Sequence, residues 1–208
     1  MSTKDDQRTR LAELEARLQV LEDTNEIRNL KSRYAELCDD NYNPDGIAAL
    51  FAADAVWESE SLGRYVGREA IREFFVGASS IFTFAIHYSL NSQIEVRGDW
   101  ARAQWFLFMP CTLGANHEAM WRAGIDREEY ARTDGSWLFT YKHSTPLFHS
   151  SFDKDGAGSG LPEPKRPSRA WELAGASRSP ARKRMPLARL PTRIAASHRS
   201  SDRWVSLA

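Results

Sequence analysis

The sequence predicts an α+β fold, with helices in its first part and a meander of long antiparallel strands after them. Three observations predict it. Apolar residues recur at spacings of three and four through the first forty positions, the period of a helix face. From Phe82 onward the pattern changes to alternation, with Phe84, Ile86 and Tyr88 separated by Thr83, Ala85 and His87. Two turn signals, Arg97-Gly-Asp-Trp100 and Thr133-Asp-Gly-Ser136, then join strand-like runs as hairpins do.

Taken in order, Leu11, Leu14, Leu18 and Leu21 form a stripe that Ile27, Leu30, Tyr34 and Leu37 continue. One helix of about thirty residues from near Arg8 fits, with a break near Asp23-Thr-Asn25. Its first half resembles a coiled-coil seam, and those leucines need either the domain or a second subunit to cover them. Asn43-Pro-Asp-Gly46 has turn chemistry. Residues 47–51 form a short second helix, and a strand begins at Ala55. Residues 67–75 form a third helix with Ile71, Phe74 and Phe75 on one side. Strands follow over 82–96, 101–113, 126–132 and 137–148.

The 208 residues are 42% hydrophobic and 27% charged, which suits a globular protein. No run approaches the ~18 apolar residues of a membrane span, and the N-terminus lacks the apolar core of a signal peptide. Cys38 and Cys111 make neither a disulfide framework nor a zinc pattern; buried thiols in a reducing cytoplasm are expected. His117 and His143 stand at no metal-ligand spacing from a carboxylate, so no metal site is expected. The net charge of zero conceals an asymmetry. Residues 159–208 hold 11 Lys and Arg against 3 Asp and Glu, a net +8, and six of the nine prolines, which leaves −8 for the rest of the chain. The sequence therefore divides into a helical extension over 1–22, a domain over 23–155 and a basic Pro/Arg/Ser-rich tail over 156–208. Two readings of that tail stand: a disordered segment, or translation out of frame. The acidic domain itself argues against nucleic acid as a partner.

His87 is an imidazole placed inside the mostly apolar run 82–96. Imidazole is the side chain best suited to moving a proton near neutral pH. The alternative is a core histidine bonded to a carbonyl. Alternation puts His87 with Ala85 and Ser89, opposite Phe84, Ile86 and Tyr88, and leaves open which face looks inward.

The order of elements and several motifs resemble the nuclear transport factor 2-like superfamily in its SnoaL-like branch. The residues that carry this are Ile27-Arg-Asn-Leu-Lys-Ser-Arg-Tyr34, Ile47-Ala-Ala-Leu-Phe-Ala-Ala-Asp-Ala-Val56, Gly67-Arg-Glu-Ala-Ile71, the His87 strand, Gly98-Asp99 and Tyr130-Ala-Arg-Thr-Asp-Gly-Ser-Trp137. The resemblance covers about residues 10–150. It implies a strongly curved, mostly antiparallel sheet that forms a cone around the helices, with a pocket in its mouth. Members range from scytalone dehydratase, bile-acid 7α-dehydratase and lindane dehydrochlorinase to small subunits of ring-hydroxylating dioxygenases, so fold does not fix function.

By that resemblance His87 falls at a catalytic histidine, Asp40 at the aspartate that pairs with it, and Tyr34 at the tyrosine ending the first helix of the bile-acid enzyme. Asp39 competes with Asp40, because a one-residue gap after Tyr34 exchanges them. Two family features are missing: Met109-Pro110 stand where the bile-acid enzyme has a further aspartate, and 121–127 lacks scytalone dehydratase's second histidine. What remains is a one-histidine, one-carboxylate site, closest in kind to the dehydrochlorinase. Read apart from the family, Asp40 suits a helix end and Tyr34 suits core packing.

Such a site performs β-elimination: the imidazole takes a proton from carbon, the carboxylate fixes its tautomer, and a tyrosine assists the leaving group. It requires no cofactor. Trp57, Trp105, Phe108, Trp121 and Tyr141 are candidates to line an apolar pocket. The expected function is a cofactor-independent lyase or isomerase, cytoplasmic, acting on a small hydrophobic cyclic substrate. The alternative is a non-catalytic ligand-binding or assembly subunit of the same fold. The leucine stripe, together with pairing through the open sheet face in this superfamily, predicts a homo-oligomer. Light scattering at micromolar concentration should return a multiple of the 23.6 kDa chain mass; a monomer would refute the expectation.

Overall fold

The computed structural model describes residues 3–152. These all belong to one compact unit, and the predicted tail and its boundary near residue 156 lie outside the described residues. Helix α1 spans Thr3–Asp39 and α2 spans Pro44–Ala49. Strands β1 (Phe51–Ser59) and β2 (Gly63–Val66) precede α3 (Arg68–Ile81). Strands β3 (Phe82–Ala85), β4 (Tyr88–Arg97), β5 (Trp100–Leu113), β6 (Ala119–Thr133) and β7 (Ser136–Ser151) complete the domain. All seven strands form one sheet in the order β2-β1-β7-β6-β5-β3, with β4 also paired to β5. Every pairing is antiparallel except β1 with β7. The sheet curls into a cone around the helices, as the family resemblance implies.

Helix α1 is continuous through Asp23-Thr-Asn25, where a break was expected. Asp23 does not act as a cap, because its buried carboxylate accepts from Gln19 Nε2 at 3.0 Å and from Arg132 of β6. Thr24 bonds back to the Val20 carbonyl at 2.7 Å, inside the helix. Before Asp23 the helix stands in solvent, and Leu11, Leu14, Leu18 and Leu21 are all more than half exposed. The domain therefore does not cover the leucine stripe. The expected turn at Asn43 is instead the start of α2: Asn43 Oδ1 accepts from the Gly46 N–H at 2.9 Å, with Pro44 in the first turn.

Both hairpin signals form turns. Asp134 and Gly135 take positive φ (50° and 81°), as a two-residue hairpin loop requires. β6 and β7 both extend several residues further than their alternation suggested. The core is aromatic. Phe139 stacks on Phe51 and packs on Tyr130, with centroids 4.9 Å apart in each case, and Tyr34 of α1 packs on Phe139 at 5.6 Å.

Four buried charges fasten α1 to the sheet. Lys31 Nζ lies 2.7 Å from Asp126 Oδ2 and 2.6 Å from Glu128 Oε1. Lys142 Nζ reaches the same two oxygens at 2.6 and 3.3 Å. Asp126 and Glu128 are two apart on β6 and so share its inner face, and Lys142 stands directly opposite Glu128 on β7. Tyr130 donates its hydroxyl proton to Glu128 Oε2. Two positive and two negative groups make the set neutral, the condition under which ions remain inside a protein.

Burial by itself would raise the pKa of Asp126, but Lys142 and Lys31 outweigh it and hold the group well below the usual carboxylate range. Burial would likewise lower that of Lys31, but Asp126 and Glu128 outweigh it and raise the pKa above the usual lysine value. The signs set the pH windows. Asp126 contributes stability above its unfolded value near 3.8, and loses it as pH falls through the lower folded value. Lys31 contributes stability below its unfolded value of 10.5, and loses it as pH rises through the higher folded value. Lys31→Met strands two carboxylates beside one lysine, and urea unfolding should show a loss of about 3–5 kcal/mol. In Asp126→Asn the acid-side fall in stability should be shallower than in the parent.

Candidate active site

The site begins where α1 ends. Asp39 is the last residue of α1, and its carboxylate lies against the gap between β3 and β4. The expected strand through 82–96 is interrupted there at Ile86-His87. Ile86 N–H still reaches the Pro110 carbonyl at 3.1 Å. The His87 N–H instead donates to Asp39 Oδ1 and Oδ2 at 3.0 and 3.3 Å. The same carboxylate takes the His87 ring, with Nδ1 to Oδ1 at 2.7 Å. A single aspartate thus replaces the strand ladder at this point and orients the imidazole.

The carboxylate that meets His87 is Asp39, and Asp40 is not its partner. Asp40 stands one residue, about 100°, further round the helix. Its backbone N–H closes the last turn on Glu36 O at 2.9 Å and the residue is exposed. The His87 side chain is only 11% exposed, and that of Asp39 is 31% exposed. The question of phase is also settled. Phe84, Tyr88 and Leu90 face outward, and His87 looks into the domain.

His87 lines a cavity of about 80 Å³. Since one water occupies roughly 10–15 Å³ by the same measure, the space holds several waters or a single small ring. Tyr34, Cys38 and Tyr42 come to its wall from α1 and the turn after it. Trp57 of β1 and Phe74 and Phe75 of α3 form an aromatic side, with Trp57 and Phe74 centroids 4.7 Å apart. Leu107 and Met109 of β5 add an apolar side. Three charged side chains also reach it: Arg122, Asp126 and Lys142.

Of the predicted site residues, His87, Tyr34 and Trp57 therefore meet at one cavity. Tyr34 Oη accepts from Trp57 Nε1 at 3.0 Å, and burial pushes its pKa well above the ordinary tyrosine value, so it stays a neutral hydroxyl. Trp105, Phe108, Trp121 and Tyr141 do not line the cavity. Trp105 is buried with its Nε1 on Tyr130 Oη at 3.3 Å. Phe108 has the opposite phase to Leu107 and Met109, and stacks with Trp121 on the outer face at 5.2 Å. Tyr141 donates to Glu58 Oε1 at 3.1 Å.

Tyr42, Arg122, Asp126 and Lys142 were not foreseen as site residues. For Asp126 the signal was present: it shares its alternation phase with Glu128 and the core residue Tyr130. Tyr42 arrives by backbone conformation. Asn41 and Tyr42 both take positive φ (53° and 56°), rare for residues with a side chain. This left-handed step swings the Tyr42 ring inward, edge-on to His87 with centroids 5.8 Å apart. Strain of this kind collects at functional sites. Burial pushes the Cys38 thiol up to about 12, so it remains protonated and is no nucleophile. No helix among the described residues is long and apolar enough to cross a membrane.

Comparison with solved structures returns the same architecture. LinA superposes with a TM-score of 0.61 at 23% identity, covering 65% of this chain and 92% of that one. A protein from Novosphingobium aromaticivorans, provisionally described as an aromatic ring hydroxylase, gives 0.58 at 26% identity, covering 63% and 94%. A second from the same species, provisionally described as a scytalone dehydratase, gives 0.59 at 19%, covering 65% and 91%. A search of the curated proteins finds no match. The sequence over residues 19–143 matches the family described as the SnoaL-like domain, and since this is more than half of the chain, the protein belongs to that family.

Proposed function

We propose that the protein is a cofactor-independent lyase, eliminating across a carbon–carbon bond of a small cyclic substrate, with His87 as base and Asp39 as its orienting carboxylate. The observation that carries this is the 2.7 Å contact between His87 Nδ1 and Asp39 Oδ1 at the wall of an aromatic-lined cavity. In this contact His87 Nδ1–H donates to Asp39 Oδ1, which leaves Nε2 as the lone-pair nitrogen for substrate. In the reaction Nε2 takes a proton from carbon, the C–H electrons form the double bond, and the bond to the leaving group breaks with its electrons. The imidazolium so formed is stabilised by Asp39. Tyr34, a neutral hydroxyl on the cavity wall, hydrogen-bonds the departing group. The dehydrochlorinase and dehydratase names carried by similar folds support elimination as the reaction class.

A second reading is a ligand-binding or assembly subunit, like the small subunits of ring-hydroxylating dioxygenases among the relatives that the sequence resembles. Elimination assays on a panel of cyclic β-hydroxy ketones and halocyclohexanes separate the two. His87→Ala should abolish turnover without lowering the melting temperature by more than a few degrees. Asp39→Asn should reduce turnover by two or more orders of magnitude, because an amide favours the wrong tautomer. Asp40→Asn should stay within about twofold of the parent. A panel that binds but yields no alkene would overturn the elimination reading in favour of the second.

A further inference from the structure

The buried charge set is unevenly satisfied. Of its four carboxylate oxygens, Glu128 Oε1 accepts from Lys31 and Glu128 Oε2 from Tyr130. Asp126 Oδ2 accepts from Lys31 at 2.7 Å and lies 2.6 Å from Lys142. Asp126 Oδ1 is buried and has no hydrogen-bond partner among the described residues. Glu128 is absent from the cavity wall, whereas Asp126 is on it with a side chain only 3% exposed. The unpaired oxygen therefore belongs to the one of the two carboxylates that is on the cavity wall.

Leaving a buried carboxylate oxygen unpaired is costly, and a group that donates to it recovers that cost. We propose that Asp126 Oδ1 is a specificity subsite that binds a hydroxyl group of the substrate. This rests on the cavity being the substrate site. Two lysines keep Asp126 ionised, so it accepts hydrogen bonds and cannot donate one. A hydroxyl bound there cannot leave, because a departing hydroxide needs a proton and this carboxylate has none to give. The subsite therefore holds a retained hydroxyl. The substrate is a hydroxylated ring whose leaving group is a different substituent.

The probes are phenol and fluorobenzene, which match in size and differ in one donor. Binding of each to the full chain is read by amide chemical-shift titration, with no turnover involved. Phenol should bind at least tenfold more tightly, and anisole, which accepts but cannot donate, should not recover the gain. In Asp126→Leu/Lys142→Met, which removes one charge of each sign, the preference should fall to within threefold. If that variant does not fold, the comparison in the parent decides alone. Equal binding of phenol and fluorobenzene, or no binding of phenol at millimolar concentration, would overturn the subsite, as would an unchanged preference in the folded variant. A protein that eliminates yet binds the two probes equally loses only this inference. One that prefers phenol yet eliminates nothing loses only the lyase reading.

Discussion

The neutral set of Lys31, Asp126, Glu128 and Lys142 is the constraint on which the site depends. It ties the helix that carries Tyr34, Cys38 and Asp39 to the two strands that form one wall of the cavity. Apolar packing alone would allow α1 to slide along the sheet with little penalty, since many hydrophobic registers are similar in energy. Charges buried in this way do not allow it. Moving Lys31 by one helical position would strand ionised groups in a medium that cannot solvate them. The position of Asp39, eight residues further along the same rigid helix, follows from that register.

The imidazole is placed by a second, local device. A continuous strand would fix its own N–H on a neighbouring strand. Here the ladder opens at His87, and both the backbone N–H and the ring of that residue are bound by one carboxylate. The helix end then turns through two left-handed residues, which brings Tyr42 against the other side of the ring. Helix α1, the gap between β3 and β4, and the turn at Asn41-Tyr42 together fix the imidazole from three directions. That degree of positioning is what proton transfer from carbon requires.

Much of this was legible in the sequence because it is written in periodicity. The 3-4 spacing marked α1, alternation with the Gly98-Asp99 and Asp134-Gly135 turns marked the hairpins, and the order of motifs marked the family. His87 stood out as a polar residue in an apolar run. The choice between Asp39 and Asp40 was not legible, since it depends on the angle at which a helix ends, and a one-residue error is 100° of rotation. The break expected at Asp23 failed because a residue suited to capping was used for a tertiary ion pair with Arg132. Pocket-lining aromatics were overassigned for a related reason. Phe108 and Trp121 are as aromatic as Trp57, and only sheet phase shows that they stack on the outer face.

The environment also sorts the cavity's ionisable groups into roles. Burial keeps the Cys38 thiol and the Tyr34 and Tyr42 hydroxyls protonated. Asp126 is held ionised by Lys142 and Lys31, so it can accept a hydrogen bond but not carry a proton away. Lys142 is committed to the same two carboxylates. Of the side chains on the cavity wall, the imidazole of His87 is the one whose chemistry allows it to take a proton and give it back. Its Nδ1 is bound by Asp39, so the proton transfer proposed above would run through Nε2. In the proposed elimination the two carboxylates would act differently because their partners differ: Asp39 would steer the base, and Asp126, fixed by lysines, would only recognise.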